Sequence, residues 1–236
     1  MLGLGVGFYK LAGNDYPGGW APTELGDKLV AWYQYNTGIT TTNVGDTTTA
    51  ITAWADQSGN GNNLTPSATN DLDVMPTHHA DGSVFFQQSG DTLEFGTGLT
   101  LGKFAVYCRV KCSNFNDVLL EKSNDAEFIK FQTTTEFRIQ PVSGTRHDMA
   151  IPGGAGLANA TKFTAGFERD GDGDFFASAN GSSSTTSANT AISTTIDLDR
   201  VGAPAQTMNI YELIICNDGL SSSERSDINS YLNGIK

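Results

Sequence analysis

The chain of 236 residues carries 14 lysines and arginines against 26 aspartates and glutamates, a formal net charge of −12. Phosphate backbones are held by clustered Lys and Arg, so a chain this acidic with no basic run excludes nucleic acid as the expected partner. No run approaches the roughly 18–20 apolar residues of a membrane span, and no membrane partner is expected.

Glycine, serine and threonine are abundant, which suits one large β-domain of short strands joined by polar turns. An acidic surface also keeps crowded copies soluble. Residues 1–26 read as a glycine-rich apolar arm. Its large side chains, Leu2, Leu4, Val6, Phe8, Tyr9, Leu11 and Trp20, are too many for a free tail. Two readings stay open: a segment laid along its own domain, or an assembly arm that docks on a neighbouring copy and makes a homo-oligomer. The opening Met1–Lys10 has no basic leader and is broken by glycine, so use without Sec export is expected.

Residues 27–236 read as the domain. Leu29–Tyr35 is a strand, and Thr40–Thr49 a Thr-rich surface connection. Thr49–Trp54 is β-prone and feeds Asp56-Gln57-Ser58-Gly59-Asn60-Gly61-Asn62-Asn63, a tight turn with positive-φ positions. Trp54, Asp56, Ser58, Gly59, Asn60 and Gly61 are assigned to this structural turn, the Asp56 carboxylate accepting backbone N–H groups. Residues 66–79 are poorly patterned. Short strands follow at Ser83–Gln87 and Thr92–Phe95.

Phe104, Val106, Cys108, Val110 and Cys112 alternate with Tyr107, Arg109 and Lys111, the mark of a half-buried antiparallel strand. Strands at 118–120, 127–132 and 136–141, a hairpin over 161–179, and strands at 194–198 and 208–216 complete a two-sheet pattern. Ser182–Thr195 is a low-complexity stretch. Ser221 and Glu224 form a capping box for a C-terminal helix, with Ile228, Tyr231 and Leu232 as its apolar stripe.

Trp54-x-Asp56-x-Ser58-Gly59-Asn60-Gly61-Asn62 near the start, and the Tyr211–Cys216 strand with Leu220-Ser221-x-x-Glu224-Arg225 and Tyr231-Leu232 at the end, resemble the concanavalin A-like jelly roll of the laminin-G and pentraxin type. Gly82, Val84, Phe86, Asp91 and Leu93, then Arg169, Asp170, Gly171, Asn180 and Gly181, match further short segments of that family. The resemblance implies an all-β, two-sheet antiparallel jelly-roll sandwich with one short C-terminal helix. It does not imply a ligand, because that fold serves lectins, hydrolases and structural proteins alike.

No catalytic centre and no cofactor are expected. Retaining glycoside hydrolysis needs two carboxylates about 5–5.5 Å apart, and the glucanase Glu-x-Asp-x-x-Glu strand is absent. Asp170-Gly171-Asp172-Gly173-Asp174 fails the calcium-loop pattern, with Phe175 and Gly181 where glycine and glutamate belong. His78 and His79 are adjacent and point to opposite sides, so they read as exposed loop residues and no metal is expected. Cys108 and Cys112 lie about 13 Å apart in one strand, beyond the roughly 7 Å that a disulfide spans. With Cys216 they read as buried free thiols.

Two loops have the aromatic and planar polar composition of sugar sites: Asn114, Phe115, Asn116 and Asp117, and Arg146, His147 and Asp148. The expected function is that of a non-enzymatic virion structural protein, assembled in a host cytoplasm, in the manner of a tailed-phage capsid decoration, appendage or fibre component. Its expected partners are other virion proteins, its own copies and host-surface glycans. The alternatives are a glycan-binding lectin-like module of a bacterial surface protein and, below it, a glycoside hydrolase.

Overall fold

The computed structural model describes residues 19–44, 48–67, 75–87, 91–113, 115–124, 126–142, 145–151, 157–170, 174–186, 195–202 and 207–235. In chain order the strands are β1 (Leu29–Tyr33), β2 (Ile39–Val44), β3 (Thr48–Trp54), β4 (Leu64–Pro66), β5 (Thr77–His78) and β6 (Val84–Phe86). They continue as β7 (Leu93–Leu101), β8 (Phe104–Cys112), β9 (Val118–Glu121), β10 (Phe128–Thr133), β11 (Glu136–Val142) and β12 (Thr145–Ala150). The last are β13 (Lys162–Arg169), β14 (Phe175–Ala179), β15 (Ser182–Thr186), β16 (Ile196–Val201) and β17 (Met208–Cys216), followed by the helix α1 (Ser222–Asn233).

Every pairing is antiparallel. The first sheet runs β1–β17–β8–β13–β14–β15. The second runs β2–β3–β4–β7–β16–β9–β10–β11–β12. The short β5 and β6 join the two at one margin, leading from β3 to β17. The molecule is thus an all-β antiparallel sandwich with a single short C-terminal helix among the described residues.

Alternation in the sequence sets which side chains meet. Phe104, Val106, Cys108, Val110 and Cys112 of β8 point inward and are fully buried in the main core. Phe131 of β10 meets Phe137, Phe163 and Phe167 there at ring distances of 5.4–5.5 Å. A second apolar cluster lies on the outer face of the first sheet. Trp32, Tyr107, Tyr211, Ile214 and Cys216 rise from the strands, and Ile228, Tyr231 and Leu232 of α1 cover them. Burying each such large side chain contributes about 1.5–3 kcal/mol, which is what holds the helix down.

The start of α1 is fixed by its cap. Ser221 Oγ accepts from Glu224 N, and the Glu224 carboxylate accepts from Ser221 N at 2.7 Å. The same carboxylate takes Lys28 Nζ at 2.8 Å, which ties the helix to a 3-10 helix, Pro22–Lys28, that leads into β1. All three cysteines are buried and unpaired.

The sequence reading left some strands as connections. Thr40–Thr49, expected as a surface connection, contains nearly all of β2 and the first two residues of β3, because β-branched threonines suit a strand with one solvated face. Residues 145–148, expected as a loop, belong to β12, and the start of the Ser182–Thr195 stretch is β15. The signal for β15 was Asn180-Gly181: both residues have positive φ, 50° and 84°, as a two-residue hairpin turn requires. His78, expected in an exposed loop, sits half-buried in β5, and His79 packs tilted against Phe85 with ring centroids 4.4 Å apart.

Candidate functional site

The outward residues of β8, β13 and β14 form a row, because Gly166 pairs with Tyr107 on one side and Ser178 on the other. A Cβ at Gly166 would fall 2.6 Å from the Tyr107 ring and onto Ser178 Oγ. Glycine therefore lets the tyrosine ring and the serine close over the sheet. Above this row the polar side of α1 stands off the strands and leaves a groove of about 390 Å3, within the roughly 300–1,000 Å3 range of small-ligand pockets. Tyr107, Ser178 and Gly181 line it from the sheet, and Arg225, Asn229 and Asn233 from the helix.

The chemistry of the lining is that of hydroxyls, amides, one phenol and one guanidinium, and none of the lining residues is a carboxylate. Asn229 donates through Nδ2 to Arg225 O at 2.8 Å, while its Oδ1 is buried without a partner. Arg225 stands over the Phe176 ring at 5.0 Å and is held by Glu168 through two hydrogen bonds of 2.9 and 3.0 Å. Glu168, buried beneath, also accepts from Tyr107 Oη at 2.5 Å and from Leu220 N. Burial and the Glu168 charge push the Tyr107 phenol far above its ordinary value, so it remains a neutral donor. Both oxygens of Glu168 are thus committed to structure.

Under the far end of the helix lies a second buried carboxylate. A β-bulge at Tyr211 in β17 turns both Tyr211 and Glu212 outward against the single partner Arg109. Glu212 is fully buried and accepts from Trp32 Nε1, Tyr231 Oη and Tyr35 N, each at 2.5 Å. Burial pushes its carboxyl up to about 7 in spite of these donors.

The residues singled out from the sequence separate here. Asn116, Arg146 and Asp148 reach the outer face of the second sheet, where Lys130 bonds Asn116 at 2.8 Å, Arg138 holds Asp148, and Arg146 bonds Gln140. Phe115 turns inward and stacks on Phe163 at 6.0 Å. Asp117 is buried, accepts from Thr207 N, and is lifted by burial to about 6. His147 stacks on Phe175 at 4.3 Å. The two loops therefore do not converge on one ligand, because alternation along each strand sends neighbours to opposite sides. Asn114 lies outside the described residues.

The turn residues meet in one place. Asp56 Oδ1 accepts from Trp32 N and Ser58 N, and Oδ2 from Ser58 Oγ and Asn62 N, at 2.7–3.0 Å. Asn60 Nδ2 caps Leu29 O, Gly59 and Gly61 have φ of 90° and 78°, and Trp54 is fully buried beside Tyr33. Of the arm residues, Trp20 packs on its own domain, edge-on to Tyr231 at 5.8 Å. Leu2, Leu4, Val6, Phe8, Tyr9 and Leu11 lie outside the described residues, as do 171–173 of the aspartate-glycine turn.

No family model and no curated protein matches this sequence. Solved structures do. Domain 4 of a GH43 extracellular arabinanase from Geobacillus stearothermophilus, in complex with arabinotriose, is similar with a TM-score of 0.58 at 13% identity, over 86% of this chain and 98% of that one. A structure of botulinum neurotoxin type C, described by its interaction with two ganglioside molecules, gives 0.57 at 14%, over 92% and 53%. A Trypanosoma rangeli sialidase mutant displaying trans-sialidase activity gives 0.56 at 12%, over 88% and 33%. At these identities the likeness is one of fold. The chain spans about half of the neurotoxin structure and a third of the sialidase.

The groove residues escaped the sequence reading because they come from distant segments. Tyr107 read as an ordinary outward strand residue, and Ser178, Asn229 and Asn233 carried no signal of their own. The one local hint was Gly166 inside an otherwise regular strand, a position where glycine marks a close approach.

Proposed function

We propose that the chain is a glycan-binding module without catalysis of its own, with the groove between α1 and the first sheet as its site. The observation that carries this is the lining: amides, hydroxyls, a phenol and a guanidinium around 390 Å3, with no carboxylate among them. Such groups bond sugar hydroxyls, whereas most glycoside hydrolysis uses a pair of free carboxyls, and the carboxylate beneath the groove, Glu168, is committed to Tyr107, Leu220 and Arg225. The shared fold with a domain that holds arabinotriose and with a ganglioside-interacting neurotoxin supports the reading. A glycan array followed by calorimetry tests it. Asn229→Ala with Asn233→Ala should weaken an array-positive oligosaccharide by about tenfold or more, the loss of one or two good hydrogen bonds. No binder on the array, or a binder indifferent to both substitutions, overturns it.

A place in a tailed-phage virion is the setting we propose for the module, supported by the acidic Gly- and Thr-rich composition and the apolar-glycine opening segment. Since Trp20 belongs to the domain, the assembly segment of this proposal is 1–18. Its removal should leave melting unchanged and abolish self-association. A truncated protein that unfolds, or that still associates, removes the assembly role.

A further inference from the structure

Beyond Tyr107, which floors the groove, the next outward residues along β8 are Arg109 and then Lys111, each about 7 Å further on. Lys111 lies directly across from Lys162 of β13, and Arg109 across from Thr164. Like charges directly opposite each other on a sheet destabilise it, so this placement needs a compensating partner. No ion-pair partner is present among the described residues. Arg109, Lys111 and Lys162 make no ion pair there, and Arg109 Nε is buried with no hydrogen-bond acceptor. This is unexpected on a chain whose acidic residues exceed its basic ones by twelve.

The nearby carboxylates are already engaged. Asp81 accepts from Ser83 through Oδ1 and from Tyr211 Oη through Oδ2. Burial opposes its ionisation, yet these donors hold its carboxyl down to about 2. Glu212, the cross-strand partner of Arg109, is turned towards Trp32, Tyr35 and Tyr231. Lys162 rests its ammonium on the Tyr211 ring at 3.9 Å. Burial, then the repulsion of Arg109 and Lys111, depress that ammonium against the pull of Asp81. A half-buried cluster of three cations with one unsatisfied guanidinium donor thus lies on the same sheet face, one and two outward positions along the strands from the row that floors the groove.

We propose that the glycan held in the groove is an acidic one, and that Arg109, Lys111 and Lys162 receive its carboxylate or sulfate. This rests on the glycan-binding reading of the groove. The planar Arg109 guanidinium offers the paired donors that a carboxylate or sulfate accepts, and the two ammonium groups supply the field. The ring hydroxyls of the same sugar face the amides of Asn229 and Asn233.

The test compares three hexasaccharides by calorimetry: a heparin-derived hexasaccharide, which is sulfated and carboxylated, hexagalacturonate, which is carboxylated only, and neutral maltohexaose, alongside a wider array of neutral and acidic glycans. At least one acidic glycan should bind about tenfold or more tightly than its neutral counterpart, and more weakly as salt screens the charges. That preference should vanish in Lys111→Gln with Lys162→Gln, and separately in Arg109→Gln, with melting within a few degrees of the parent. Hexagalacturonate binding equal to that of the heparin fragment assigns the site to carboxylates, and binding of the heparin fragment alone to sulfate; either supports the proposal. Tighter binding of neutral glycans, or an acidic preference that survives both variants, overturns the acidic subsite and leaves the groove proposal standing. Binding of no glycan on the array overturns both.

Discussion

The two outer faces of the sandwich treat charge in opposite ways. On the second sheet every described cation has a partner: Lys122 holds Glu127 and Asp197, Arg200 holds Glu121, Arg138 holds Asp148, Lys130 bonds Asn116 and Arg146 bonds Gln140. On the first sheet a helix roofs one half and buries two carboxylates, while the other half leaves Arg109, Lys111 and Lys162 without an ion pair among the described residues. A face that satisfies itself has no demand for a ligand. The roofed face has both a groove and unmet donors, so shape and electrostatics single out the same surface.

The contrast is sharpest beneath the helix. Glu212→Ala should lower stability by about 3 kcal/mol or more, since it strands the donors of Trp32, Tyr35 and Tyr231 in a dry site. Equilibrium denaturation reads this directly, and a loss under 1 kcal/mol would mean that water reaches the site. The same carboxyl makes the roofed face sensitive to pH. Its folded value, about 7, lies above the ordinary 4.5, so the folded state holds the proton more tightly. Stability from this group is full below about pH 4.5 and is lost as pH rises through 7, by about 3 kcal/mol in all. Glu212→Gln should remove that slope. Asp117, lifted to about 6, adds a smaller term of the same sign.

Next in size is the floor of the groove. Gly166→Ala forces a Cβ into the Tyr107 ring and Ser178, and should lower stability by about 1–3 kcal/mol. It should also abolish binding of any groove ligand. Asp56→Ala, at the turn that closes over β1, should lower stability by a similar 1–3 kcal/mol by freeing the N–H groups of Trp32, Ser58 and Asn62. Glycan binding should be unchanged at temperatures where this variant is folded. An unchanged melting temperature would contradict the role of the turn.

The smallest effect belongs to the second sheet. The Arg138–Asp148 pair lies in reach of water, so Arg138→Ala should change stability by at most about 1 kcal/mol and leave acidic-glycan binding intact. If Arg138→Ala instead removed that binding, the ligand would belong to the second sheet and the contrast between the faces would be reversed.

Much of the framework was legible in the chain. The inward residues of β8, the Asp56 turn, and the Ser221–Glu224 cap are local patterns, each set by residues a few positions apart. Strands β2 and β12 were missed for the converse reason. Thr40, Thr42 and Arg146 are polar because one side of those strands faces water, and a polar alternation resembles a loop. Phe115, Asp117 and His147, grouped by composition with outward neighbours, turn the other way, since composition does not say which side of a strand a residue takes.

The sequence by itself determined the fold class, the order of most strands, the turn around Asp56 and the helix that ends the chain, because periodicity and capping act over a few residues. Only the tertiary structure decided that Tyr107, Gly166 and Ser178 stand in one row, that Asn229 overhangs it, and that Lys162 faces Lys111 beside an unpaired Arg109. Lateral order in a sheet is set by hydrogen bonds between strands distant in the chain, and a bulge at Tyr211 decided where Glu212 points. No local pattern encodes these placements, because they follow from how the whole chain shares one core.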